Sequence, residues 1–374
     1  MNHPYEDTLM QRNREETRSA YPESPYAYTA SSHAIPKVTL SQPCMEGFYS
    51  KNLLGTFHSD LRCLRYYYKD VSFPMNLKIG FETLKVKDEE KTKQEKLNDI
   101  LKWIKAKEQL NNKTFNFVCF RGLLTTLMVT PYENREGWKI SAVKYKDTIY
   151  LWQEDTEEKK KRLQNLTLKD KEMCYYGRKF EQYTSTGDVD MLPTTDHPVD
   201  ENEEFCCVMS SKIGNFRLLY GAEVDCITAN KKVTAAVLEK EKTLKDFVEL
   251  KTSQVIKNIK QERNFKRFKL LKWWAQSFLV GIPKIICGWR NHDGIVSSVE
   301  EFATSAIPGK GKDLWSGNAC INFLHDILHF IKAELDNLGD LEGGTIEWSP
   351  RRPVMFKKLP RDTKSSVLPH WFIE

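Results

Sequence analysis

No stretch of this 374-residue chain approaches the roughly eighteen consecutive apolar residues that a membrane-spanning helix needs, so no span is expected. The opening residues, MNHPYEDTLMQRNREE, hold no apolar stretch between a basic leader and a small-residue cleavage site, so the expectation is an intracellular protein without a secretory leader. The nine cysteines, at 44, 63, 119, 174, 206, 207, 226, 287 and 320, are odd in number and irregularly spaced, which argues against a disulfide framework. No C-x₂-C pair is available for structural zinc, and no internal repeat is visible. A hydrophobic fraction of 40% and a charged fraction of 29% describe a globular chain long enough to bury a large core. The net charge of +6 permits a polyanionic partner without requiring one.

Residues 1–36, rich in Ser, Pro, Tyr and Glu without an apolar period, read as a disordered N-terminal arm, and residues 37–374 as one domain with no internal linker. Helical spacing of Leu97, Ile100, Leu101 and Ile104 predicts an amphipathic helix over Asp88–Ala106. Phe115–Val129 reads as apolar, β-branched and aromatic segments, TPYENREGW as a loop, and Lys139–Trp152 as a hairpin. Glu157–Tyr183 fits one or two helices around Gly177, and the Pro, Gly, Thr and acid-rich TSTGDVDMLPTTDHPVDENE reads as a surface loop. Phe205–Ser211, Phe216–Thr228 and Thr243–Thr252 are strand candidates, Lys257–Leu279 a strong helix, and Pro283–Trp289 a buried strand. The fold class expected is α+β, with a central mixed β-sheet flanked by helices.

Two short phrases carry chemistry: GAEVDC at 221–226 and VELKTS at 248–253. On a strand, side chains two apart share a face, so Glu223 joins Asp225, and Glu249 joins Lys251. If the strands are neighbours, three carboxylates and an ammonium converge. Such a cluster repels itself unless a cation sits among the acids, and hard oxygen ligands suit Mg²⁺ or Mn²⁺. Ions held there would polarise a phosphate and stabilise developing charge during hydrolysis, with Lys251 on the water or the phosphate. The bland alternative is two charged strand faces in water, although LLYGAEVDCI and FVELKT embed the charges in apolar text. Further on, FKLLKWWAQSFL sets Lys269, Lys272 and Gln276 near one helical face, so Gln276 is expected to point where Lys272 points. Residues 257–272 hold seven basic side chains against the single acid Glu262: a phosphate-attracting stripe, or a solvated face with Trp273 and Trp274 in the core.

Three motifs are set aside. His325-Asp-Ile-Leu-His329 puts two histidines on one helical face, but Asp replaces the Glu of a zinc-protease helix and no third ligand is evident. Gly309-Lys-Gly-Lys312 lacks the spacing of a phosphate-cradling loop. Asn112-Lys-Thr and Asn165-Leu-Thr match glycosylation acceptors that an intracellular chain would not present.

Taken in order, FRGLLTTLMVTPYENREGW, GRKFEQY, GAEVDC, ELKTS and LLKWWAQSFLVGIP resemble one family, the decapping exoribonucleases known as the DXO family, over roughly residues 45–374. Their active site is similar to that of the D-(D/E)-x-K nucleases. The resemblance implies that Glu181, Glu223, Asp225 and Glu249, with the main-chain carbonyl of Leu250, hold divalent metal, Mg²⁺ or Mn²⁺, as two ions. It implies that Lys251 and Gln276 address the scissile phosphate and the attacking water, that Arg121 lines the RNA channel, and that Phe120, Gly122, Glu95 and Cys206 are further substrate contacts. The implied substrates are RNA 5′ ends bearing triphosphate, incomplete caps or NAD caps, followed by 5′→3′ degradation. A monomer in the nucleus is expected, and partnership with a larger exoribonuclease is left open. Three departures stand out: Phe120 where similar proteins often carry Trp, a longer stretch Ala229–Asp246, and no Arg near Gly55. Two other readings remain: a non-catalytic RNA-end-binding scaffold, and a DNA nuclease using the same chemistry.

Overall fold

Strand-forming text in this chain comes as short pieces, and in the computed structural model those pieces are gathered into two sheets that meet at the acidic phrases. The structure describes residues 17–19, 38–88, 95–107, 114–359 and 368–374. In chain order the strands are Thr17–Ser19 (β1), Cys44–Lys51 (β2), Phe57–His58 (β3), Tyr66–Tyr67 (β4), Met75–Asn76 (β5), Phe117–Phe120 (β6), Trp138–Tyr145 (β7), Thr148–Glu154 (β8), Ser185–Thr186 (β9), Glu204–Ile213 (β10), Phe216–Glu223 (β11), Cys226–Ile227 (β12), Phe247–Gln254 (β13), Lys284–Arg290 (β14), Ile295–Ala303 (β15), Gly343–Trp348 (β16) and Met355–Lys358 (β17). The helices that matter below are Asn98–Ala106 (α1), Arg121–Val129 (α2), Glu157–Gln164 (α3), Leu168–Thr184 (α4), Ile259–Asn264 (α5), Leu271–Val280 (α6) and Gly317–Asp336 (α7).

One sheet has ten strands in the order β1-β17-β16-β7-β8-β6-β11-β10-β2-β3, the other seven in the order β5-β15-β14-β13-β12-β4-β9. Both are mixed: β6 runs parallel to β8 and β11, and β13 parallel to β14, while most other neighbours are antiparallel. This is the expected α+β class. Alternation sorts the larger sheet's side chains onto two buried faces. Phe117, Cys119, Cys207, Met209, Leu218 and Tyr220 join the main core with residues of α2, α6 and α7. Val118, Cys206, Val208 and Leu219 face the other way, onto Ile100, Leu101 and Trp103 of α1. The smaller sheet buries Val248, Leu250 and Ile286 under Tyr175, Tyr176 and Phe180 of α4.

Several boundaries differ from the sequence reading, each for a local reason. The helix predicted from Asp88 starts only at Asn98: Lys96 takes a left-handed backbone (φ 42°), and residues 89–94 lie outside the described residues. Phe115–Val129 is not extended throughout, because the chain turns at Phe120 into α2. The hydroxyls of Thr125, Thr126 and Thr130 donate to the carbonyls of Arg121, Gly122 and Thr126, a bond through which threonine tolerates a helix. The charged run 157–183 does form two helices, broken at Asn165–Thr167 by the Thr167–Asp170 capping box rather than at Gly177. Lys257–Leu279 is helical but carries a π segment over Phe265–Leu270. The hairpin at 139–152 and the strand at 283–289 are present. Of the N-terminal arm, residues 17–19 pair with β17, and the remainder lies outside the described residues.

Candidate active site

The strand expected over Phe216–Thr228 is interrupted, and that interruption makes the site. β11 ends at Glu223 in the larger sheet; Val224 and Asp225 cross the gap; β12 then pairs with β13 of the smaller sheet, Cys226 opposite Val248. Glu223 and Asp225 are therefore not two positions of one regular strand face, as the alternation argument had it, but the two sides of a crossing between sheets. Asp225 is fixed there by the Leu250 N–H, which donates to its Oδ2 at 2.6 Å. One residue either side of Leu250 on β13 are Glu249, only 1% exposed, and Lys251.

Four elements converge on this junction. Glu249 accepts from Lys251 Nζ at 2.5 Å, from Gln276 Nε2 of α6 at 2.6 Å and from Arg121 Nη1 of α2 at 3.4 Å. From α4, Arg178 donates through one nitrogen to Glu181 at 3.3 Å and to Glu223 at 3.0 Å. Burial pushes the Glu181 carboxyl above its ordinary range, and the charge of Glu223 adds to the rise. Burial also raises Asp225 strongly, reinforced by Glu249. Glu223 is pushed up by burial too, but Arg178 more than offsets this and holds it below the usual value. For Glu249, Lys251 and Arg121 likewise overcome burial, and Lys251 in turn is held protonated by Glu249 and Asp225. Opposite charges nearby favour the charged form of each group, and burial disfavours it.

The substrate residues inferred by resemblance fall together. Glu95, Phe120, Arg121, Gly122, Cys206 and Glu223 all line one cavity of about 370 Å³. Its shape depends on Gly221, where a Cβ would stand 2.7 Å from the Phe120 ring. The sequence did not point to the rest of its polar wall. Lys51, 5% exposed, bonds Asp99 at 2.8 Å and Glu95 at 3.2 Å. Lys87 pairs with Glu204. Their partners lie far along the chain, so no local pattern announces them. Arg178 was visible one helical turn before Glu181, but its neighbour Glu223 was not.

The basic stripe behaves differently from the expectation. Lys272 pairs with Glu133 at 3.2 Å, whereas Gln276 reaches Glu249, and Lys269 donates to Ser253 at 3.1 Å. Lys269 lies in the π segment, but Lys272 and Gln276 both belong to the regular turns of α6 after it, and they part because the long, exposed Lys272 stem carries its ammonium to Glu133. Trp273 and Trp274 are buried, as the core alternative held. His325 and His329 pack against Phe216, with ring centroids 5.6 and 6.3 Å away.

Divalent metal fits this donor set. Carboxylate oxygens are hard donors suited to Mg²⁺ or Mn²⁺, and burial with neighbouring carboxylates raises Glu181 and Asp225, whose charged forms an added cation would favour. Among the described residues, however, no three His, Cys, Asp or Glu side chains already close into a ligand set, since Arg178, Arg121 and Lys251 are interleaved with them.

Acids from two abutting sheets and a flanking helix, with a lysine two residues from one of them and a charged cavity alongside, define a nuclease of the PD-(D/E)XK type, and the comparisons agree. The sequence profile of the RAI1-like PD-(D/E)XK nuclease family matches residues 41–373. The chain is 32% identical over 355 residues to the "Decapping and exoribonuclease protein" of Xenopus laevis, covering 88% of this chain and 85% of that one. The human protein of that name is 33% identical over 350 residues, covering 89% and 85%. Among solved structures, Schizosaccharomyces pombe Rai1 with 3′-FADP superimposes with a TM-score of 0.69 at 25% identity, over 90% of this chain and 98% of that one. Candida albicans Rai1 with pU5 and Mn²⁺ reaches 0.81 at 22% identity, over 96% and 98%, which speaks to the fold. This chain belongs to the RAI1-like PD-(D/E)XK nuclease family.

Proposed function

We propose that the protein is a divalent-metal-dependent hydrolase that removes triphosphate, incomplete-cap or NAD-cap structures from RNA 5′ ends and then degrades the RNA from that end. The observation that carries this reading is the meeting of Glu181, Glu223, Asp225 and Glu249 at the junction of two sheets, beside the cavity that Arg121 and Phe120 line. Relatives named for decapping and exoribonuclease activity, and a neighbour bound to pU5 and Mn²⁺, support it.

We assign Glu181, Glu223, Asp225, Glu249 and the Leu250 carbonyl as ligands for two Mg²⁺ or Mn²⁺ ions. Bound there, the ions would supply electrophilic stabilisation of the phosphate and a more acidic water. The chain's own groups do the rest. Lys251, kept protonated by Glu249, lends positive charge to the scissile phosphate. Gln276 spends its amide N–H on Glu249, which leaves its carbonyl oxygen free to accept a hydrogen bond from the attacking water and orient it. Arg121, buried beside Glu249, neutralises a backbone phosphate of the entering strand. The Phe120 ring offers a stacking surface, while Lys51 holds Glu95 and Asp99 in fixed directions in the cavity wall.

A product analysis of RNAs with 5′-triphosphate, NAD-capped, unmethylated-cap and monophosphate ends, in Mg²⁺, tests the proposal. Release of the 5′ group followed by mononucleotides is expected. Protection of the RNA without any cleavage would instead establish an end-binding scaffold, and equal cleavage of DNA of the same sequence would remove RNA as the defined substrate.

A further inference from the structure

Glu181 and Glu223 do not face each other across open space. A single nitrogen of Arg178, Nη1, lies within hydrogen-bonding distance of both, at 3.3 Å and 3.0 Å. Arg178 is one turn before Glu181 on α4, so its stem rises from the same helical face as that acid, while Glu223 comes from the far sheet. Its side chain is 34% exposed, so a path to solvent exists, and no other carboxylate is within ion-pair distance of it among the described residues. A guanidinium in that position does electrostatically what a divalent ion would do: it screens two acids whose mutual repulsion would otherwise drive them apart.

Resting on the metal-site reading above, we propose that Arg178 is a tethered counter-cation that holds Glu181 and Glu223 in register in the metal-free protein, and that a divalent ion must displace it to bind. The lysines near the acids do not share this arrangement. Lys251 bonds Glu249 and Lys87 bonds Glu204, each meeting one carboxylate, and Lys87 touches none of the four candidate ligands. An ion bridging the two acids through the oxygens that Arg178 holds, Glu181 Oε2 and Glu223 Oε1, breaks two charge-assisted hydrogen bonds, so the arginine lowers the apparent metal affinity.

The test is calorimetric titration of the metal-free full chain with Mn²⁺, without RNA. Arg178→Met keeps the aliphatic stem and removes the charge. Lys87→Met removes a comparable charge near Glu223 without removing a bridge, and so measures the general electrostatic benefit of losing a cation. We expect Arg178→Met to bind Mn²⁺ at least about tenfold more tightly than the wild type, beyond whatever Lys87→Met achieves. The metal-free Arg178→Met protein should also melt at a lower temperature than the wild type, with Mn²⁺ removing the difference. Arg178→Lys, in which an ammonium replaces the planar fork, should bind with intermediate affinity. Equal tightening in Arg178→Met and Lys87→Met, or weaker binding in Arg178→Met, would overturn the inference while leaving the metal site intact. Absence of Mn²⁺ binding in every one of these proteins would remove the metal-site reading itself, and the inference with it.

Discussion

The two faces of helix α6 look onto regions that differ in chemistry. On one side, Gln276 reaches Glu249 at the sheet junction, next to the cavity of about 370 Å³ whose walls include Lys51, Lys87, Lys96, Arg121, Glu95, Asp99, Glu204 and Glu223. On the other, Trp274 and Phe278 line a larger hollow of about 580 Å³ together with Pro43, Ile282, Pro283 and Ile321. The larger hollow has no charged side chain in its lining; the smaller has charges of both signs arranged in pairs. Volume therefore does not locate the chemistry. Convergent, partly buried charge does, because there the fold has gathered groups that favour water at a cost in stability.

The contrast can be broken from either side. The largest effect is expected at Glu249, which joins three donors from three elements: Glu249→Gln should lower the RNA hydrolysis rate of the folded protein at least about a thousandfold, as measured by single-turnover kinetics. Lys251→Met should follow at about 10²–10³ in kcat, because the lost positive charge acts on the transition state more than on substrate binding. Gln276→Ala should cost about 10–100-fold in rate, since it orients rather than reacts. On the opposite face of the same helix, the sign of the outcome changes. Trp274 is 3% exposed and lies 5.1 Å from Phe278 and 5.3 Å from Trp315 by ring centroids. Trp274→Ala should remove about 3–5 kcal/mol of stability in denaturant unfolding, yet leave the specific activity of the folded fraction near that of the wild type. A catalytic loss at Trp274 exceeding that at Gln276 would erase the distinction between the two faces.

The smallest effect concerns the cysteines. Burial pushes the Cys63 and Cys287 thiols up to about 12, whereas Cys174 is exposed. Thiolates rather than thiols react, so a thiol reagent at neutral pH should label Cys174 first in the native protein, and mass spectrometry should find Cys63, Cys206 and Cys287 unmodified until denaturant is added.

What could be read in the sequence was local. The E-x-D and E-x-K phrases, the apolar strands around them, the strong helix bearing Gln276 and the α+β class all follow from periodicities spanning a few residues. The sheet switch at Val224–Asp225 did not, because an apolar text with one acid in it reads the same whether it continues a strand or leaves it. Nor did α2: its two threonines and Val129 favour a strand by type while its leucines favour a helix, and packing on α6 and α7 decides for the helix. Residues such as Lys51, Glu204 and Arg178 acquire meaning only from partners 40 or more positions away, which no window along the chain encloses.

The central claim is that divalent-metal-dependent hydrolysis of RNA 5′ ends depends on the acids on either side of the sheet crossing. It is tested most directly by the double variant Glu223→Ala, Asp225→Ala, assayed for release of the 5′ group from triphosphorylated RNA across a Mg²⁺ titration alongside the wild type. Activity that rises with Mg²⁺ in the wild type and stays at background in the folded variant is the predicted result; metal-dependent hydrolysis persisting in the variant would contradict it.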